Sequence, residues 1–178
     1  MRTELAQTLK RIALGAALAT AATSGFAATQ GTTGFTSTGD LVITLGVVDE
    51  VRISGLADIP LGNFTGADVS NNSPACVYRN GTGAYSITAT GSGAANAFTL
   101  TNGTNSVNYS VTYHYLTAAG VRSLATGVPL TSTGGDSSAD DCGGVPNASI
   151  EVTVAAVDAA GLPASTYTGT LTLLVSPN

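Results

Sequence analysis

The chain has 178 residues, of which 10% are charged, with six basic against eleven acidic side chains and a net charge of −5. No basic patch is available to release counterions from a phosphate backbone, which excludes nucleic acid as a partner, and no polybasic segment would draw the chain onto an anionic membrane. No apolar run approaches the roughly 20 residues that a membrane-spanning helix needs.

Arg2, Lys10 and Arg11 precede an apolar run from Ile12 to Ala22, followed by the small residues Gly25 and Ala27. This is the pattern of a secretory signal over residues 1–27, so the mature chain is expected to begin near Ala28. It then keeps only Arg52, Arg79 and Arg122 against ten carboxylates, a charge near −7. A mature length of about 150 residues suits a single domain with one core.

Ala28 to Gly39 is almost purely Thr, Gly and Ser around Phe35, which predicts a mobile N-terminal stretch. Leu41, Ile43, Leu45 and Val47 then alternate with Asp40, Val42, Thr44 and Gly46, the pattern of a strand with one apolar face. Only a few residues separate Val47 from a first strand at Glu50 to Ser54. The segment is therefore expected not to fold back into its own domain, and its apolar face asks for a partner sheet.

Half-buried strands follow at Tyr85, Ile87 and Ala89, and at Phe98 and Leu100. The clearest runs from Val107 to Leu116, with Val107, Tyr109, Val111, Tyr113 and Tyr115 on one face and Asn108, Ser110, Thr112 and His114 on the other. Ile150, Val152 and Val154 alternate with Glu151 and Thr153. The last predicted strand is Thr166 to Val175, with Tyr167, Gly169, Leu171, Leu173 and Val175 on one face. Asn80-Gly81, Asn102-Gly103 and Gly134-Gly135 supply turns at the spacing of a β-sandwich. There is little helix signal after the leader, and no internal repeat.

Cys76 and Cys142 are the two cysteines, and in an exported chain they read as a disulfide. The alternative of a metal or redox pair finds neither a CxxC spacing nor a nearby His. His114, the single histidine, lies on a polar strand face and is expected to be solvated. Without a second His or a reactive cysteine, no nucleophile, base and orienting group can be assembled. The chain is read as a non-enzyme with no cofactor, no metal and no small-molecule substrate. Two alternatives stay open. Asp136, Asp140 and Asp141 cluster in a Gly/Ser loop, either as solvated acids or as ligands of a hard cation such as calcium. Tyr109, Tyr113 and Tyr115 are either core or a platform for stacking glycans. Sequons at Asn63, Asn71, Asn80, Asn102, Asn108 and Asn147 are expected to stay bare.

Several segments together resemble the spore coat U domain family, which includes subunits of the archaic chaperone–usher pili. These are the alternating N-terminal strand, ISGLADIPLG (Ile53 to Gly62), CVYRNGTGAYSITATGSG (Cys76 to Gly93), DCGG (Asp141 to Gly144) with NASIEVTV (Asn147 to Val154), and LPASTYTGTLTLLVSP (Leu162 to Pro177). The Tyr-x-Gly-x-Leu strand is the most specific of them. Family members often carry a further cysteine near the first strand, where this chain has Val51, Arg52 and Ile53.

The resemblance implies an all-β, immunoglobulin-like sandwich of pilin type over residues 49–178 that lacks its last strand. An N-terminal extension over residues 28–48 would carry the donor strand Leu41, Ile43, Leu45 and Val47. The acceptor groove would include Tyr167, Leu171, Leu173 and Val175. The implied partners are a periplasmic chaperone, an outer-membrane usher and neighbouring pilin subunits, and the implied destination is a cell-surface fimbrium serving adhesion or biofilm formation. A spore-coat or matrix protein, or a minor tip subunit with lectin-like binding, are the alternatives.

Overall fold

Alternating β-branched and aromatic residues form ten strands among the residues that the computed structural model describes, 27–81, 83–116 and 120–178. The expected leader lies outside the described residues except for Ala27. The chain divides into two compact units, one ending at Gly46 and one spanning Val47–Asn178.

In the first unit Thr29 and Asp40 exchange backbone hydrogen bonds of 2.9 and 3.0 Å. The Thr/Gly tract, whose composition predicts a mobile stretch, is thus a loop closed by this pair. Residues 41–46 form no ladder, although their alternation predicts a strand. Leu41, Ile43 and Leu45 are 70%, 87% and 87% exposed. Strand-like alternation is a property of side chains, whereas a ladder needs a neighbour to accept it.

The second unit contains β1 (Val51–Ser54), β2 (Val69–Arg79), β3 (Ala84–Gly91), β4 (Thr99–Thr101), β5 (Ser106–Asn108), β6 (Ser110–Tyr115), β7 (Gly120–Leu124), β8 (Leu130–Thr133), β9 (Ala148–Val154) and β10 (Leu171–Pro177), with a short α-helix, α1 (Ala156–Ala159), and single 3-10 turns at Ala94–Asn96 and Cys142–Gly144. One antiparallel sheet has the order β1-β2-β9-β6-β7 and a second has β10-β3-β8, while β4 and β5 form a hairpin over Asn102-Gly103.

The inward residues match the alternation in the sequence. Tyr85, Ile87, Ala89, Val111, Tyr113, Ile150, Val152 and Val154 are all buried. The run expected as one strand from Val107 to Leu116 breaks at Tyr109, whose N–H donates to the Phe98 carbonyl at 2.9 Å. The chain there leaves the β4–β5 hairpin for the main sheet, and the period-2 alternation continues through the break.

Tyr109 and Tyr113 belong to the core and half-buried Tyr115 packs against it, so the three do not form an exposed glycan platform. Tyr109 and Tyr113 are 7% and 0% exposed. Tyr109 stacks on Phe98, and Tyr113 meets Tyr115 edge to face with centroids 4.9 Å apart. The Tyr85 and Tyr113 hydroxyls lie 2.5 Å apart, which satisfies two polar groups that burial would otherwise strand. Burial raises the pKa of both phenols.

The β2–β9 ladder ends at Ala75 and Ala148, and the Asn147 side chain extends it. Its amide accepts from the Val77 N–H at 2.9 Å and donates to the Val77 carbonyl at 2.8 Å, as a backbone neighbour would. The Asn147 side chain of this sequon is therefore buried. Cys76 and Cys142 form the disulfide, with Cα atoms 5.8 Å apart. It fastens the acidic loop to β2, and closing a loop of this length is worth about 4 kcal/mol in the chain-entropy model.

Candidate functional site

An immunoglobulin sandwich places strands A, B, E and D in one sheet and C, F and G in the other. Here β1, β2, β9 and β6 occupy the A, B, E and D positions, and β3 and β10 occupy C and F. G would lie on the far side of β10. Among the described residues no strand lies there: β3 pairs with one edge of β10, from Leu171 opposite Gly91 to Pro177 opposite Tyr85, and the other edge has no ladder. An unpaired edge exposes backbone donors and acceptors to any extended chain that reaches it.

Beside this edge lies an apolar groove of about 1050 Å³. Its floor is Val107, Tyr109 and the β9 residues Ile150, Val152 and Val154, which belong to the core. Leu171 and Leu173 form one wall, residues 56–64 form the other, and residues 162–167 close one end. The core is thus open to an entering side chain along one side.

The wall opposite β10 is not a strand. Gly55 and Gly62 adopt left-handed φ values of 74° and 77°, and Pro60 between them has no N–H to give a ladder. The segment is tied to β2 through side chains, with Ala57 N–H donating to Ser73 Oγ at 2.7 Å and Asn71 Nδ2 donating to the Pro60 carbonyl at 2.8 Å. Leu56 and Phe64 remain exposed, while Ile59 and Leu61 pack against the core.

Three of the four residues assigned to the acceptor groove, Tyr167, Leu171 and Leu173, line it. Val175 faces the same side and packs against the core, but lies outside the lining. The strand expected from Thr166 begins only at Leu171, because Thr168 instead bridges to Thr101 at 2.8 and 3.0 Å. The neighbouring Gly169 has a physical role: a Cβ there would meet the Thr99 carbonyl at 2.7 Å, so the glycine of Tyr-x-Gly-x-Leu permits this segment to approach β4 closely. The wall at 56–64 and the β9 floor carry no assignment from the sequence, although Leu56, Ile59 and Leu61 stand in one of the segments quoted above.

Two polar side chains of the groove lining are held by the domain's own backbone. Ser73 Oγ is engaged with Ala57, and the Tyr167 hydroxyl donates to the Pro163 carbonyl at 3.1 Å. Away from the groove, His114 Nε2 lies 2.7 Å from Glu151 Oε2, both about a third exposed, so the histidine is half-buried and paired where solvation was expected. The three acids of the loop are turned to separate tasks. Asp140 pairs with Arg52, and Asp141 accepts from the Gly143 N–H at 2.9 Å. Asp136 accepts from the Ala139 N–H and from Ser138, which hold its carboxyl below the usual carboxylate range. Among the described residues no group of three His, Cys, Asp or Glu could hold a metal ion, and no helix is long and apolar enough to cross a membrane.

No protein-family model matches the chain, so the likeness to the spore coat U domain family is carried by the quoted segments alone, and no curated protein matches it. Among solved structures it is similar to a chain of a chaperone–tip adhesin complex of CFA/I fimbriae biogenesis, with a TM-score of 0.50 and 14% identity over 72% of this chain. The fold is an immunoglobulin-like β-sandwich of pilin type. The present chain spans 41% of the length of that fimbrial chain, and the likeness is one of fold. The immunoglobulin-like sandwich accounts for the strand positions that are filled, and among the described residues the position beyond β10 holds no strand.

Proposed function

We propose that this chain is a structural fimbrial subunit, exported through the periplasm and assembled at the cell surface by donor-strand exchange, and that it is not an enzyme. The observation that carries the reading is the open apolar groove along an unpaired β10 in a chain that also bears an uncharged, alternating and unladdered segment at Leu41, Ile43, Leu45 and Val47. A strand laid beside β10 would complete the sheet through main-chain hydrogen bonds, with alternate side chains entering the groove. A periplasmic chaperone fills the groove first, an outer-membrane usher receives the complex, and the arm of a neighbouring pilin subunit then replaces the chaperone strand. The domain layout follows: a leader over 1–27, a donor extension over 28–48 and the acceptor sandwich over 49–178.

Co-expression with a candidate periplasmic chaperone tests this. A stable 1:1 complex is expected, with little free subunit surviving in the chaperone's absence. A subunit that accumulates as a protease-resistant monomer to the same level without any chaperone would contradict it.

A further inference from the structure

Arg79, the last residue of β2, is a cation only 5% exposed. A buried charge persists only when its donors are matched. Its Nε and Nη2 form a fork on the Asp49 carboxylate at 3.0 and 2.5 Å, Nη1 donates to the Ala84 carbonyl, and Nη2 also donates to the main-chain oxygen of Asn178 at 2.8 Å. The hydrogen bond from Arg79, more than simple charge attraction, lowers the Asp49 pKa.

Asn80 continues the arrangement. Its Nδ2 donates to the Val48 carbonyl at 2.7 Å, its Oδ1 accepts from the Glu50 N–H at 2.9 Å, and its own N–H donates to the Glu50 carbonyl at 3.2 Å. Ser86 Oγ holds the Asn178 side chain at 2.5 Å. Two consecutive residues therefore tie together residues 48–50, the start of β3 and the end of β10.

We propose that Arg79 and Asn80 are the mechanical anchor of the assembled fibre, passing tension from the donor arm directly into β2 and β10. This rests on the strand-exchange reading, in which every subunit is held by its arm at one end and by its groove at the other. A pull on the arm reaches the sandwich at Val48. The first ladder it meets is β1, only four residues long, whose leading pair is Val51 opposite Arg79. A pull at that end would open the ladder one pair at a time, a failure that needs little force because the bonds are loaded in series. The clasp sits immediately ahead of the leading pair, so the load reaches Asp49 and Val48 before β1 can peel. The same guanidinium holds the end of β10, the strand that grips the neighbouring subunit's arm.

The test uses the full chain carrying Asp49→Asn and Asn80→Ala together, beside Asn80→Ala alone, which leaves the Arg79 fork in place. In the folded double variant the Glu50 amide should exchange about tenfold faster, because its acceptor, Asn80 Oδ1, is gone, with Ile150 and Val152 unchanged. Fibres should form at the wild-type number in still culture and then shorten several-fold under shear that spares the wild type. Asn80→Ala should give an intermediate loss. Fibres of either variant that withstand shear as well as the wild type would overturn the anchor while leaving strand exchange standing, and unaltered exchange at Glu50 would overturn it as well. A wild-type chain that builds no fibres with its chaperone and usher present would fail at the earlier step, taking both readings down together.

Discussion

Replacing Ile43 and Leu45 by aspartate is expected to abolish fibre formation while leaving the yield of chaperone-bound subunit unchanged. The two events use different parts of the chain. As donor, each of these side chains buries apolar area worth about 1.5 to 3 kcal/mol. A carboxylate in the same position would be desolvated without a partner, at a cost of several kcal/mol. Two such changes reduce occupancy of a neighbouring groove by well over about a hundredfold, since each 1.4 kcal/mol is a factor of ten. The groove of the same variant is untouched, because its lining comes from residues 56 onward. Purified periplasmic complex and surface fibres seen by electron microscopy are the two readouts. Fibres of normal length would refute the donor role of the arm.

Leu173→Asp is expected to act earlier and to lose the subunit itself. Leu173 is half-buried in the groove wall and packs against the core from β10. An aspartate there removes an apolar contact and places a charge over the floor built by β9, where no cation stands among the lining residues. The combined cost of several kcal/mol is a large fraction of the 5 to 15 kcal/mol by which a domain of this kind is stable. Neither a chaperone strand nor a donor strand would find an apolar groove to fill. Recovery of the Leu173→Asp chaperone complex at wild-type yield would show that the groove is not the shared acceptor.

The strands buried on one face were legible because period 2 survives in the sequence wherever one side meets the core. Tyr85, Ile87 and Ala89 show this, as do Ile150, Val152 and Val154. β2 was not legible: over Val69–Arg79 it mixes exposed Asn71, Asn72 and Pro74 with buried Ser73 and Arg79. Its place is fixed by tertiary partners, namely the Asn147 amide, the Arg79 fork and the wall segment. β7 and β8 are short edge strands with little inward alternation, so they too gave no period. The break at Tyr109 was hidden for the opposite reason, since a strand that changes partners without changing faces keeps its pattern intact.

At the groove, the alternation of Tyr167, Leu171 and Leu173 marks three residues of the lining, but alternation cannot say where a strand stops pairing. The ladder begins only at Leu171, and the groove runs from Leu173 toward residues 162–167 instead of out to Val175. The opposite wall was invisible because Pro60 and the left-handed Gly55 and Gly62 give residues 56–64 no regular period. The arm was the reverse case, a clear strand pattern whose partner is not within the described ladders.

The most direct measurement is amide exchange along β10 in the Ile43→Asp, Leu45→Asp double variant, whose own arm cannot serve as donor, with and without a synthetic peptide of residues 40–48. Binding should protect alternate amides from Leu171 to Ser176, because a new ladder would form on the free edge. At a peptide concentration of a hundred times Kd the melting temperature should rise by roughly 10 °C, corresponding to about 2.7 kcal/mol of linkage. A peptide carrying the same two aspartates should do neither. If the wild-type peptide binds without altering exchange in β10, or leaves the melting temperature where it was at millimolar concentration, the groove is not a strand acceptor.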